Sequence, residues 1–388
     1  MNPQQDLKHF SISKRILSLT LLLSFALSCK SIPMNEEQDY GLRLVALDIS
    51  PEEYGLLNGQ LLSKRPAQVS VRVAGEFKVN CNASYAGRSS IDAFRKSYDI
   101  DFCDEKYNKR SHYRLSSQAI DKTMLRSIIG YEVFKEMKLE VPKTEFASAF
   151  INQKYQGLYL FMETVDKEFF KAHKVPIYEI YKARYGNAGF RQDFSSKLSE
   201  AFSYDGKGED NFTYLEEIYK LLWLETSDEV FAEKLKAVFD VDSFLSYTAV
   251  ALSINHWDGF DNNYFLAFDQ DQRKLTTVPW DLDRIWEKPD IYEPENLLER
   301  NQLLVRMLKV PEFKTAFLKK LRKISEKFDV EKLIAKAQEL EAQSAAALRE
   351  DPILSRYKPA AFEELHAHMR IWDVKMKAHL AKYPAESK

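Results

Sequence analysis

The chain has 388 residues, 45% hydrophobic and 29% charged, with 56 basic against 58 acidic side chains, a formal net charge of −2 and three cysteines. That is material for a core in one large or two modest domains; it excludes a disordered, collagen-like or multi-span membrane chain, and the balanced charge argues against nucleic acid held on a broad basic face. With only 12 glycines there is no G-x-G-x-x-G and no P-loop signature, which disfavours Rossmann and Walker-type nucleotide sites.

At the amino terminus Lys14 and Arg15 precede an apolar run from Ile16 to Leu27, followed by Ser28 and Cys29. The run is shorter than the ~20 residues of a spanning helix and ends in small residues, as a secretory signal does. FALSC is similar to a relaxed bacterial lipobox, with Ala26 where leucine is usual. Residues 1–28 therefore read as a lipoprotein-type signal peptide, Cys29 as the lipidated first residue of the mature chain and 29–41 as a linker. An ordinary signal peptide and a retained anchor are the alternatives. The expected location is the cell envelope, membrane-anchored on the periplasmic or outer surface.

From 42 to 182 the chain is strand-rich: VALDIS, VSVRVAGEFKV, KSYDIDF, EFASAFI and GLYLFME carry β-branched and aromatic residues with partial alternation. Cys81 and Cys103 lie on two of these segments, as a possible disulfide outside the cytoplasm or as two buried thiols. One helix interrupts the strands, with Asp121 at the N-cap position and apolar residues from Met124 to Met137 at helical spacing. Residues 183–211, rich in Gly, Ser, Asp and Lys, read as a loop. From 212 to 388 the pattern is mostly helical, interrupted by a hairpin, YFLAF then KLTTVPW. No CxxC, HExxH or histidine cluster supports a zinc site.

The chemistry-bearing stretch is Asn255-His256-Trp257-Asp258-Gly259-Phe260-Asp261-Asn262-Asn263, then the hairpin, then Trp280-Asp281-Leu282-Asp283. Phosphoryl transfer from ATP needs a carboxylate beside the acceptor hydroxyl, and an Asn and an Asp whose oxygens hold magnesium against the phosphates. The order catalytic Asp, Asn five residues on, two short strands and metal-binding Asp is that of protein kinases. An isolated D-x-x-x-x-N is most often a turn; here a lysine-bearing strand, a helix and a hairpin precede it in kinase order.

These residues, with Gly87-Arg88-Ser89, Lys96-Ser97-Tyr98, DKTMLRSIIGYEVFKEM, FINQKYQGLYLFMETVD and LLVRMLKVPEF, resemble the CotH kinase-like family over roughly 70–325. The resemblance implies an α+β, atypical protein-kinase-like two-lobe fold, a β-rich lobe followed by a mainly helical one. It also implies binding of ATP with Mg²⁺ or Mn²⁺ and phosphorylation of protein Ser or Thr. Asp258 then matches the catalytic base, and Asn263 and Asp281 the metal ligands, with Asp283 a second ligand or a structural carboxylate. Lys96 resembles the phosphate lysine, with Lys182 able to serve instead. Glu163 lies where a hinge meets adenine, and Arg126 is either an ATP contact or a cap and salt-bridge partner of Asp121. The competing function is a surface-anchored, kinase-like binding or adhesion protein without catalysis.

Overall fold

Alternation of apolar and polar residues builds the first architecture. In β2 (Ala67–Val73) the residues Val69, Val71 and Val73 are buried while those between them are exposed or partly so, the period-two pattern of a strand with one covered face. The computed structural model describes residues 38–384 except 60–63, 88–89 and 358. Around β2, the strands β1 (Arg43–Ile49), β3 (Glu76–Ala86), β4 (Ser97–Asp101), β5 (His112–Ser116), β6 (Thr144–Ile151) and β7 (Lys154–Glu163) close a barrel in the order β1-β2-β3-β4-β5-β7-β6. Its one parallel pair, β1 with β6, sets Val45 opposite Ala149. Tyrosines and phenylalanines fill the interior, with Tyr113 and Phe161 stacked at 4.6 Å.

A second, four-stranded sheet runs β11-β10-β8-β9, from β8 (Ile177–Ala183), β9 (Phe202–Asp205), β10 (Tyr264–Asp269) and β11 (Lys274–Pro279). Two expectations change here. β8 ends the strand-rich segment in sequence, yet it pairs with the distant β10, setting Lys182 opposite Phe265. The segment 183–211, expected to be loop, supplies β9, where Ser203 pairs with Lys182. Four residues with two polar side chains give too short a pattern to register as a strand.

The helices are α1 (Pro51–Gly59), α2 (Arg126–Glu136), α3 (Lys167–Ala172), α4 (Leu198–Ala201), α5 (Thr213–Leu224), α6 (Asp228–Val238), α7 (Val241–Ser253), α8 (Pro294–Glu299), α9 (Gln302–Met307), α10 (Pro311–Lys327), α11 (Val330–Glu350) and α12 (Ala360–Ala381). α7 is buried all round from Phe244 to Leu252 and starts on Asp240, whose carboxylate accepts from the Ser243 N–H at 3.0 Å. α10 buries Phe313, Phe317, Leu321 and Ile324, and α12 buries Leu365, Met369, Trp372 and Met376, each set at helical spacing. The Trp372 Nε1 donates to the Leu252 carbonyl at 2.7 Å and so ties α12 to the last turn of α7. Barrel, second sheet and helices lie in one compact unit, Asp39–Lys388. Among the described residues no helix is long and apolar enough to cross a membrane.

Two further expectations are corrected. α2 begins at Arg126, not beside Asp121, because Met124 takes a left-handed conformation (φ +64°) that no helix can continue through. Asp121 still serves the helix from a distance, accepting from Thr123 N and Oγ1 and from Arg126 N at 2.6–2.9 Å. Cys81 and Cys103 are free thiols. Asn82 lies opposite Asp101, so the two cysteines are one residue out of step; Cys81 is buried in the barrel and Cys103 accepts from Asn82 Nδ2 at 3.3 Å outside it. Cys29 and the signal segment lie outside the described residues.

Candidate active site

α7 delivers the chain into a sharp corner. Asn255 is left-handed (φ +49°), and a 3-10 turn follows from Trp257 to Gly259. Gly259 is required there: a Cβ would lie 2.1 Å from the buried ring of His256. Burial lowers the His256 pKa to about 4, so its ring is neutral and acts as packing. The Tyr247 hydroxyl donates to the Gly259 carbonyl at 2.7 Å and fixes the turn to α7.

The corner presents Asp258. Its Oδ2 accepts from Asn263 Nδ2 at 2.9 Å, and the same amide lies 3.4 Å from the Asp281 carbonyl. The hairpin β10–β11 therefore brings residues 258, 263 and 281 together, which their spacing alone leaves far apart. Asn263 (φ +22°) and Asp281 (φ +56°) are both left-handed, a conformation that Asn and Asp tolerate best among residues with a side chain beyond Cβ. Desolvation first, then the charges of Asp261 and Asp281, push the Asp258 pKa up to about 6. Burial, with Asp281 and Asp121 nearby, also pushes Asp283 well above the usual carboxylate range.

Asp258, Asp281 and Asp283 line a cavity of about 760 Å³ with Gly87, Ser97, Arg114 and Lys182. Arg114, Lys182, Ser203 and Trp280 also line a second cavity of about 540 Å³, whose apolar wall includes Ile100, Val165, Ile180 and Phe265. The outward face of β4 and β5 forms one wall of this cleft and the sheet β8–β10 the other. Desolvation and the neighbouring Arg114 charge lower the Lys182 pKa to about 8. Its ammonium lies 5.5 Å from the centres of both Phe265 and Trp280.

The remaining expected residues are placed elsewhere. Lys96 donates to the Ile91 carbonyl at 2.6 Å and lies 5.7 Å from the Tyr85 ring; Ser97 and Asp99 face the cleft, so strand parity turns Lys96 away. Arg126 is buried, 3.4 Å from Asp121 and hydrogen-bonded to the Ile285 carbonyl, where it ties α2 to the segment after Asp283. The Glu163 carboxylate accepts from the Lys143 N–H at 3.0 Å and its own N–H donates to the Lys143 carbonyl, while Thr164 and Val165 line the cleft instead. Gly87 (φ +92°) lines the larger cavity; Arg88 and Ser89 lie outside the described residues.

The family described as CotH kinase protein matches residues 83–372. The chain belongs to the CotH kinase family. The matched CotH segment runs from β3 into α12 and contains every cleft residue named above. Among curated proteins the chain is similar to the inner spore coat protein H of Bacillus subtilis (strain 168), 25% identical over 296 residues, which cover 73% of this chain and 81% of that protein.

The oxygen-rich, negatively crowded corner fits a hard divalent cation. No three His, Cys, Asp or Glu side chains stand close enough together among the described residues to hold a metal ion alone. An Asn oxygen and a carboxylate, completed by phosphate oxygens and water, is the ligand set on which Mg²⁺ usually relies.

Proposed function

We propose that this CotH family member is an ATP-dependent kinase that transfers a phosphoryl group to Ser or Thr hydroxyls of exported or surface proteins. The observation that supports it is the single cavity wall shared by Asp258, Asp281, Asn263 and Lys182, with Asp258 held by Asn263 at 2.9 Å. In this reading the barrel is one lobe of a kinase-like fold, and the helices with the four-stranded sheet are the other. Asp258, with a pKa near 6, is ionised at neutral pH and basic enough to accept the proton of an acceptor hydroxyl. Asn263 Oδ1 and the Asp281 carboxylate hold Mg²⁺ or Mn²⁺, with Asp283 as a further carboxylate behind them. When bound, such an ion neutralises phosphate charge and aligns the transferred group. Lys182 contacts phosphate, and the apolar wall around Val165 and Ile180 receives the base.

Export and an N-terminal lipid on Cys29 remain part of the proposal, motivated by the FALSC segment. The competing reading, a non-catalytic envelope or adhesion protein, draws support from the similarity to an inner spore coat protein. Thermal unfolding separates the two. ATP with Mg²⁺ or Mn²⁺ is expected to raise the melting temperature of the wild type by several degrees, Lys182→Met to lose most of that rise, and Asp281→Asn to lose its dependence on metal. No rise with either metal refutes the nucleotide site and leaves the binding protein.

A further inference from the structure

Two cations, Arg114 and Lys182, meet at the junction of the two cavities. Arg114 Nε and Nη2 donate to the two oxygens of Asp99 at 2.7 and 3.0 Å, a two-pronged pair that fixes the guanidinium plane. Its remaining nitrogen, Nη1, has no partner among the described residues, although Arg114 lines both cavities. The guanidinium carbon lies 5.1 Å from the Trp280 ring centre, and Lys182 Nζ, also without a hydrogen-bond or ion-pair partner among the described residues, lies 5.5 Å from the same ring. Two cations thus flank one buried tryptophan; Asp99 pairs with one of them, Asp281 lies near both without an ion pair to either among the described residues, and both keep hydrogen-bond donors toward open volume. Neither strand position requires this for folding: Arg114 and Lys182 face the cleft, opposite the barrel interior and the sheet core.

We propose that Arg114 is a second phosphate-binding cation, oriented by Asp99 as a positioning residue, so that the junction binds a linear chain of at least two phosphates rather than a single one. The inference rests on the nucleotide reading for its biological ligand, but not for its test. Arg114 and Lys182 project from opposite walls and share Trp280 as a floor, so adjacent phosphates can each meet one cation. Asp99 holds Arg114 in place and neutralises part of its charge, which leaves the site able to release product.

The test is calorimetric titration of the full chain, with EDTA present, using orthophosphate, pyrophosphate and tripolyphosphate. For the wild type we expect pyrophosphate to bind about tenfold or more tightly than orthophosphate, because one more charge-assisted contact is worth about that much. Arg114→Lys, which keeps the charge but loses the fork, is expected to weaken pyrophosphate about tenfold and orthophosphate little. Asp99→Asn is expected to lose a smaller factor, and the double variant to be no worse than Arg114→Lys, since both act through one group. Equal affinity of the wild type for all three anions overturns the proposal without recourse to any variant. So does a folded Arg114→Lys protein that keeps wild-type pyrophosphate affinity. The two readings fail differently: the chain-length step without any transfer from ATP defeats the kinase and supports the clamp, whereas transfer by Arg114→Lys with an unchanged KM for ATP defeats the clamp and leaves the kinase.

Discussion

At neutral pH the Asp258 carboxylate sits desolvated beside Asp261 and Asp281, with its pKa raised to about 6. An unfolded aspartate titrates near ~3.9, so the native protein binds more protons than the unfolded chain between about pH 4 and 6, and stability falls as pH rises through that window. Asp258→Asn is therefore expected to stabilise the protein by about 1–3 kcal/mol at pH 7, with the difference shrinking below pH 4; a pH-independent difference in melting temperature contradicts this. Lys182 has the opposite sign. Its folded pKa of about 8 lies below the unfolded value, so a bound phosphate draws a proton onto it. Calorimetry near pH 8.5 in buffers of different ionisation heat is expected to show proton uptake on pyrophosphate binding in the wild type and none in Lys182→Met. The acidic residues and Lys182 are readable in sequence because each lies in a quotable motif. Arg114 and Asp99 are not: they are single polar residues in strands, and their meaning depends on which sheet covers the outer face of the barrel. The same parity argument removes Lys96, an odd number of residues from both Ser97 and Asp99.

The elements that carry the site do so through their ends. α7 is legible in VDSFLSYTAVALSI because a helix apolar on all sides must be central, and Asp240 marks its start. Asp240→Ala is expected to lose about 1 kcal/mol of stability in urea unfolding with transfer kinetics unchanged, since the cap lies at the far end from the corner. Gly259→Ala acts at the near end, where the new Cβ overlaps His256. It is expected to destabilise by about 1–3 kcal/mol and to cut transfer at least tenfold, because the turn that moves also carries Asp258; unchanged kinetics would show that the corner is not held by this contact. Where sequence reading placed an element wrongly, a competing local force is visible. Met124 in a left-handed conformation delays α2 by five residues beyond its apparent cap. β9 is held by pairing with β8 rather than by its own pattern.

Long-range order depends on connections that no local pattern reports. Asp351, in the turn after α11, accepts from Leu158 N at 2.8 Å and from Ile353 and Leu354 N–H groups, and lies 3.3 Å from Arg95. Gly157, at φ +116°, leaves room for that carboxylate, since a Cβ there would lie 2.1 Å from Oδ2. The helical part is thus fastened to β7 and to Arg95, two residues before β4. Asp351→Ala leaves Arg95 buried without its carboxylate and is expected to destabilise by about 3–5 kcal/mol, read as a lower denaturant midpoint; a wild-type midpoint contradicts the strut. The broad division into a strand-rich first part and a helical second part was open to sequence reading, since glycine runs out at Gly259 and helical spacing dominates beyond it. The sheet that joins them was not, because its four strands come from both parts. The most direct test of the cleft as a kinase site is transfer of labelled phosphate from ATP with Mg²⁺ or Mn²⁺ to Ser- and Thr-containing acceptor protein, comparing wild type with Asp258→Asn. Wild type is expected to label the acceptor while Asp258→Asn, folded and still binding nucleotide, falls by at least a hundredfold; equal labelling by both proteins contradicts the assignment of Asp258 and with it the proposed chemistry.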